Sequence, residues 1–305
     1  MSEQLRGVLP VVQTPYSRDD LVDHGALAHE VAWAVEQGVD GVTVAMVSDY
    51  LRLTDEERIA VSRTTIQAAG GLPVVVSVGA ESAVVACALA VQAQEIGARA
   101  LMAVPPLSVR TLEDEVARYY EALLLATSLP VVVQDASGYV GQPLSIDVQV
   151  SLLERFGSRV MFKPEAQPIG PRLTALRDAT GGRARVFEGS GGIALVDSFR
   201  RRIVGTMPGV DVCWALVALW RALSEGDDET AYRVSGPLAS LISVQDSLDT
   251  FIAIEKHLLV RQGVLTSERV RGPVGFRLDR ETRAEVDRVF DRLSDVVASS
   301  RQATA

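Results

Sequence analysis

Lysine occurs at two positions in this 305-residue chain, Lys163 and Lys256, although Lys and Arg together number 30. Lys163 stands in Val160-Met161-Phe162-Lys163-Pro164, a short apolar run that reads as the end of a buried strand. Arginine keeps its proton in a protein, whereas a lysine amine taken out of water has its charged form disfavoured and becomes a nucleophile towards carbonyl carbons. The chemistry implied is an imine with a ketone or aldehyde. A plainer reading is that the stem packs and the ammonium reaches water. Lys256, in Ile254-Glu255-Lys256-His257-Leu258, reads as a solvated or subunit-contact lysine.

Short β-rich runs alternate with amphipathic stretches from about residue 7 to residue 209, the pattern of parallel strands joined by crossover helices. The runs are 8–14, 41–45, 73–78, 100–104, 130–134, 160–163, 185–188 and 203–207. Eight such units predict a TIM (β/α)8 barrel over residues 1–209. A doubly wound open sheet competes, but the first run leads into Gln13-Thr14-Pro15-Tyr16 and not into a glycine-rich phosphate turn. Thr54 with Glu57 three residues on predicts a capping box at the start of a helix. Residues 210–305 read as a helical extension without strands, ending in a polar, frayed segment.

In a barrel the carboxyl ends of the strands face the active site. The sixth run ends at Lys163, and the second leads into Ala45-Met46-Val47-Ser48-Asp49-Tyr50. There a hydroxyl and turn amides could hold a carboxylate, with Asp49 free to cap the following helix. Taken alone, Ser48 and Asp49 read more readily as cap residues than as ligand contacts. The fifth run leads into Gln134-Asp135-Ala136-Ser137-Gly138-Tyr139 and the seventh into Glu188-Gly189-Ser190-Gly191-Gly192, whose glycines allow a ligand close to the backbone. Tyr16, Tyr50 and Tyr139 also read as packing residues at the barrel mouth, and His24, His29 and His257 as helix-surface residues.

Composition narrows the partners. A chain that is 48% hydrophobic and 23% charged can bury a large core, and a net charge of -9 repels nucleic acid overall. Cys87 and Cys213 show no metal-ligand or disulfide spacing and read as reduced core residues. Without an export signal or a run of roughly 18 apolar residues, the expectation is a cytoplasmic protein with a small-molecule partner, no membrane and no nucleic acid.

These residues resemble a known family, the class I Schiff-base lyases of the dihydrodipicolinate synthase and N-acetylneuraminate lyase superfamily. The resemblance rests on Gly7 with Thr14-Pro15-Tyr16, Gly38-Val39-Asp40-Gly41, Leu53-Thr54-Asp55-Glu56-Glu57-Arg58, Pro105-Pro106, Phe162-Lys163 and Val270-Arg271-Gly272-Pro273. It implies a TIM barrel with a carboxy-terminal helical extension, a homo-oligomer (dimer or tetramer), and Lys163 as the amine that joins the keto carbon of a 2-oxo acid. No metal, nucleotide or pyridoxal cofactor is implied, because the protonated imine is itself the electron sink.

Departures from the family pattern refine the expectation. The usual Gly-Thr-Thr-Gly-Glu becomes Ala45-Met46-Val47-Ser48-Asp49, the proton-relaying tyrosine becomes Gln134, and an arginine that grips a second carboxylate falls at Tyr139. One branch, the L-2-keto-3-deoxyarabonate dehydratases, is similar at Ala45 to Asp49, at Val133-Gln134-Asp135-Ala136, at Phe162-Lys163-Pro164-Glu165 and at Glu188-Gly189. The resemblance therefore implies dehydration of a 2-keto-3-deoxy sugar acid. Lys163, Gln134 and Asp135 are its candidate catalytic residues, and Val47, Ser48, Asp49, Gly189, Ser190 and Tyr139 its candidate substrate contacts. A pyruvate-releasing aldolase and a barrel that binds 2-oxo acids without turnover stay open.

Overall fold

The computed structural model describes residues 5–138 and 142–303, so the Tyr139 expectation lies outside the described residues. Eight short parallel strands form the centre: β1 (Gly7–Val8), β2 (Val42–Val44), β3 (Val74–Ser77), β4 (Ala100–Ala103), β5 (Val131–Gln134), β6 (Val160–Lys163), β7 (Phe187–Glu188) and β8 (Gly205–Thr206). Strands β2 to β6 pair in chain order, and β1, β8 and β7 form a second run. Bridges between Val11 and Thr43 and between Phe162 and Val186 join the two runs into a closed ring. The first strand is shorter than expected because Pro10 has no N–H to give the ladder. The chain nevertheless stays alongside β2, where Val12 N–H donates to the Thr43 carbonyl at 3.0 Å.

Side chains alternate across this ring because successive residues of a strand point to opposite faces. Val11, Ala45, Val75, Met102, Val132, Met161 and Phe187 pack together as one apolar cluster filling the barrel. Their neighbours Val74, Val76, Leu101, Val131, Val133, Val160 and Phe162 pack outward under the helices. Both faces being buried, the strands read as nearly continuous apolar runs.

The outer layer is α1 (His24–Glu36), α2 (Asp55–Ala68), α3 (Ala83–Glu95), α4 (Glu113–Ala126), α5 (Ile146–Phe156), α6 (Ile169–Ala179), α7 (Leu195–Arg200) and α8 (Cys213–Glu225). The expected capping box opens α2: Glu57 N–H donates to Thr54 Oγ1 at 3.2 Å and Thr54 N–H to Glu57 Oε2 at 3.0 Å. After α8, which packs on β1, come α9 (Asp228–Ile242), α10 (Leu248–Arg261) and α11 (Arg280–Ala303). Helix α10 packs against the 3-10 turn Met46–Ser48 that follows β2, so the extension reaches the carboxyl end of the barrel.

Arg271 fastens the segment between α10 and α11 to the barrel. Its guanidinium donates to Glu57 Oε2 at 2.6 Å and to the Asp20 carbonyl at 2.6 Å, and lies 4.6 Å from the Tyr16 ring centroid. His257 is not on the surface as its sequence neighbourhood suggested. It is buried between Glu268, 2.9 Å away, and Asp287, 2.8 Å away, and so ties α10 to α11. Cys213 is buried and Cys87 half-buried, and both are free thiols. No helix among the described residues is long and apolar enough to cross a membrane.

Candidate active site

Strand alternation that sends Met161 into the barrel sends Lys163 to the same side one step nearer the carboxyl end, and the same rule takes Val132 to Gln134. Gln134 and Lys163 are register partners on adjacent parallel strands. Two residues beyond Lys163, the Glu165 side chain turns back over the pair. Lys163 Nζ donates to Glu165 Oε1 at 2.6 Å, and Gln134 Nε2 donates to the same oxygen at 2.9 Å. All three side chains are buried, and Glu165 Oε2 has no hydrogen-bond partner among the described residues.

Burial raises the pKa of Glu165, with the Lys163 charge and the hydrogen bonds from Lys163 and Gln134 pulling the other way. The backbone beneath is fixed by Asp135, whose Oδ1 accepts the Glu165 N–H at 2.8 Å and the Ser137 N–H at 3.2 Å. Gly189, beyond β7, closes in from the other side. A Cβ there would stand 2.6 Å from Glu165 Oε1 and 2.9 Å from Lys163 Cε, so only a glycine fits against the pair unmoved.

Lys163, Gln134, Gly189, Val47, Phe251 and Glu255 line one cavity at the carboxyl end of the barrel. Four of the residues singled out in the sequence therefore share it: Lys163, Gln134, Val47 and Gly189. Ser48, Asp49, Asp135 and Ser190 do not line it. The Ser48 hydroxyl donates to the Val12 carbonyl and accepts the Ala45 N–H at 3.1 Å, locking the turn to the strand before it. Ser190 folds onto its own turn, its N–H donating to Glu188 Oε1 at 2.5 Å and its Oγ accepting the Ala194 N–H at 3.0 Å.

Asp49 is the counter-ion of the other lysine. At a left-handed φ of 58° it turns inward and does not cap α2, which Thr54 does. Its Oδ2 accepts from Lys256 Nζ at 3.2 Å and its Oδ1 from Arg52 Nη1 at 3.0 Å. Lys256 is fully buried, contrary to the solvated lysine expected from its charged neighbours. It also donates to the carbonyls of Thr14 at 2.7 Å and Arg269 at 3.0 Å and sits over the Tyr16 ring. An ammonium has three donors, and here all three are satisfied away from the cavity. The geometry thus separates a structural lysine from one that faces a cavity.

Sequence reasoning left Glu165, Phe251 and Glu255 without a role. Glu165 carried a signal, since i and i+2 of an extended chain share a face. Glu255 and Phe251 carried none, because their approach to the cavity depends on how α10 docks.

The sequence profile of the dihydrodipicolinate synthetase family matches residues 4–292. The chain belongs to this family. Among its relatives, an L-2-keto-3-deoxyarabonate dehydratase of Azospirillum brasilense is 28% identical over 298 residues, 96% of each protein. A 4-hydroxy-tetrahydrodipicolinate synthase of Thiobacillus denitrificans is 30% identical over 185 residues, 60% of this chain and 57% of that one. The crystal structure of the dihydrodipicolinate synthase of Rhodopseudomonas palustris superposes with a TM-score of 0.85 at 25% identity, covering 94% of this chain and 97% of that one. The family fold is the closed barrel with its carboxy-terminal helices, as observed here.

Proposed function

We propose that this family member is a Schiff-base-forming lyase of 2-oxo acids and that its reaction is the dehydration of a 2-keto-3-deoxy sugar acid. The observation that carries the reading is Lys163 at the wall of a cavity, its amine held by the buried Glu165 carboxyl at 2.6 Å just behind that wall and backed by the Gln134 amide and not by a tyrosine. The likeness to the Azospirillum brasilense dehydratase along 96% of the chain supports the same reaction class.

Glu165 takes the proton from Lys163, and the neutral amine adds to C2 of the substrate. One of the two protons left on the nitrogen passes to the C2 oxygen as the bond forms, and the same carboxyl returns its proton to that oxygen, which leaves as water and yields the iminium. Glu165, again a carboxylate, removes a C3 proton to give the enamine. It then hands this proton to the C4 oxygen as the enamine electrons form the C3–C4 double bond, so that the C4–O bond breaks and a second water departs. Hydrolysis of the imine consumes one water and frees Lys163, leaving a net loss of one water. The Met46–Ser48 turn, of which Met46 and Val47 line the cavity, has first amides without an intrahelical acceptor, and these would receive the C1 carboxylate. Retro-aldol cleavage would instead need a base on the C4 oxygen; Gln134, an amide, cannot take that proton, so the Glu165 carboxylate would have to take it, and pyruvate as product is the sign of that route.

Borohydride reduction in the presence of pyruvate or L-2-keto-3-deoxyarabonate, followed by peptide mapping, tests the reading. We expect an adduct on Lys163 with either acid and a dehydrated product from the sugar acid. Pyruvate appearing as a product would make the protein an aldolase, an adduct without turnover would make it a binder, and no adduct would end the imine reading.

A further inference from the structure

Helix α10 presents Leu248, Phe251 and Glu255 to the cavity, a spacing of three and four residues that places them on one helical face. The Glu255 carboxyl therefore faces the space into which Lys163 projects. It enters beside Gln13, Gly209 and the Met46–Ser48 turn, beyond β1, β8 and β2, whereas Gln134 and Lys163 stand at the ends of β5 and β6 with Glu165 behind them. Its one hydrogen bond among the described residues is from Gln13 Nε2 to Oε2, at 2.6 Å. Oε1 lies against Gly209, where any Cβ would collide with it and would stand 2.8 Å from Asp211 Oδ1. The glycine leaves the carboxyl its room.

A substrate held as an imine on Lys163, with C3 and C4 towards Glu165, extends its C1 carboxylate to the opposite wall. Among the described residues no arginine and no second lysine lines the cavity to receive that charge. We propose that Glu255 is a substrate-binding residue, its carboxyl group donating a hydrogen bond to the C1 carboxylate beside the turn amides. The inference rests on the 2-oxo acid reading of the site.

Such a donor must carry its proton, and its surroundings keep it there. Burial raises the Glu255 pKa well above the usual carboxylate range, and the Asp211 and Glu30 charges push in the same direction. The titratable groups around it are Glu30 on α1, Asp211 just before α8 and Cys213 at its start, Lys256 on α10 itself, and Lys163 across the cavity with Glu165 bonded behind it. The Lys256 charge lowers the Glu255 pKa, but its donors go to Thr14, Asp49 and Arg269. No ion pair to Glu30, Asp211 or Glu255 exists among the described residues. At alkaline pH the deprotonated carboxyl would face the substrate carboxylate and repel it.

The test is borohydride trapping on Lys163, measured as the half-saturating concentration of pyruvate and, as a ketone without a carboxylate, of hydroxyacetone, with folding followed by circular dichroism. Glu255→Leu should raise the pyruvate value about tenfold, the worth of one such hydrogen bond, and leave hydroxyacetone unchanged. Glu255→Gln keeps an uncharged donor. It should recover most of the pyruvate affinity and abolish the weakening that the wild type shows as pH rises. Equal shifts for both ketones, an unshifted pyruvate value, or an alkaline weakening that persists in Glu255→Gln would each overturn the proposal. Absence of any pyruvate adduct on wild-type Lys163 would instead bring down the underlying imine reading, and the proposal with it.

Discussion

Gly189 and Glu165 approach so closely that a methyl group on the glycine would stand 2.6 Å from Glu165 Oε1. Two strand ends are thereby pressed together around one carboxyl. Gly189→Ala should displace Glu165 or Lys163 while leaving the barrel folded. A displacement of this kind costs on the order of 100-fold in rate. Steady-state turnover together with the far-ultraviolet circular dichroism spectrum checks this, and an undiminished rate would show that the close packing has no part in the chemistry.

Lys163→Arg keeps the positive charge and removes the nucleophile, because a guanidinium does not deprotonate in proteins. The variant should form no reducible adduct and show no turnover above background, with a melting temperature close to that of the parent. Residual activity at the parental level would falsify the imine mechanism.

Glu165→Gln removes the group that moves protons in the proposed sequence. The expected loss in kcat is roughly 100- to 10,000-fold. In the parent, burial raises the Glu165 pKa, and the base form is the one that must take the C3 proton. The rate should therefore climb with pH through a midpoint above that of an ordinary glutamate. A pH–rate profile with its acid limb at the usual carboxylate value would count against Glu165 as the base.

The Lys163 end of the site was legible in the sequence because strand alternation is a local rule. Once Met161 packs inside the barrel, Lys163 and Gln134 must follow onto the same face of their strands. The resemblance at Phe162-Lys163, together with motifs such as Thr14-Pro15-Tyr16 and Val270-Arg271-Gly272-Pro273, carried the family correctly. Ser48 and Asp49 show the limit: their residue types suit a binding loop, but a 3-10 turn followed by a left-handed residue points both into the protein. Glu255, Lys256 and His257 show another. Three consecutive polar residues on a helix suggest an outer face, yet α10 is enclosed on nearly every side, and each finds its partner in a different part of the chain.

Lys256→Met removes the ammonium that neutralises Asp49 inside the protein. Leaving a buried charge with no partner costs about 3–5 kcal/mol; Asp49 keeps Arg52 at 3.0 Å, so the loss should be smaller than that, and chemical denaturation should register it as a lower midpoint. Pairing the change with Asp49→Asn should recover part of the loss. If the single variant is as stable as the parent, the buried contact contributes nothing.

Burial pushes the Glu30 carboxyl up to about 8, against the lowering effect of the Gln13 N–H it accepts. An unfolded glutamate ionises near about 4.3. Across that interval the folded chain binds more protons than the unfolded one, so stability from this group is complete at the acid end and is lost as pH rises towards 8. Melting temperatures at stepped pH should fall over this range in the parent and fall less in Glu30→Gln.

With both lysines enclosed, at 3% and 0% exposure, the cationic surface of the described protein is made of arginine. An endoproteinase that cleaves only after lysine finds no accessible bond in the native state and cuts when the barrel opens. Digestion by such an enzyme would therefore clock unfolding directly, with a trypsin-like enzyme, which also accepts arginine, nicking the outer loops long before.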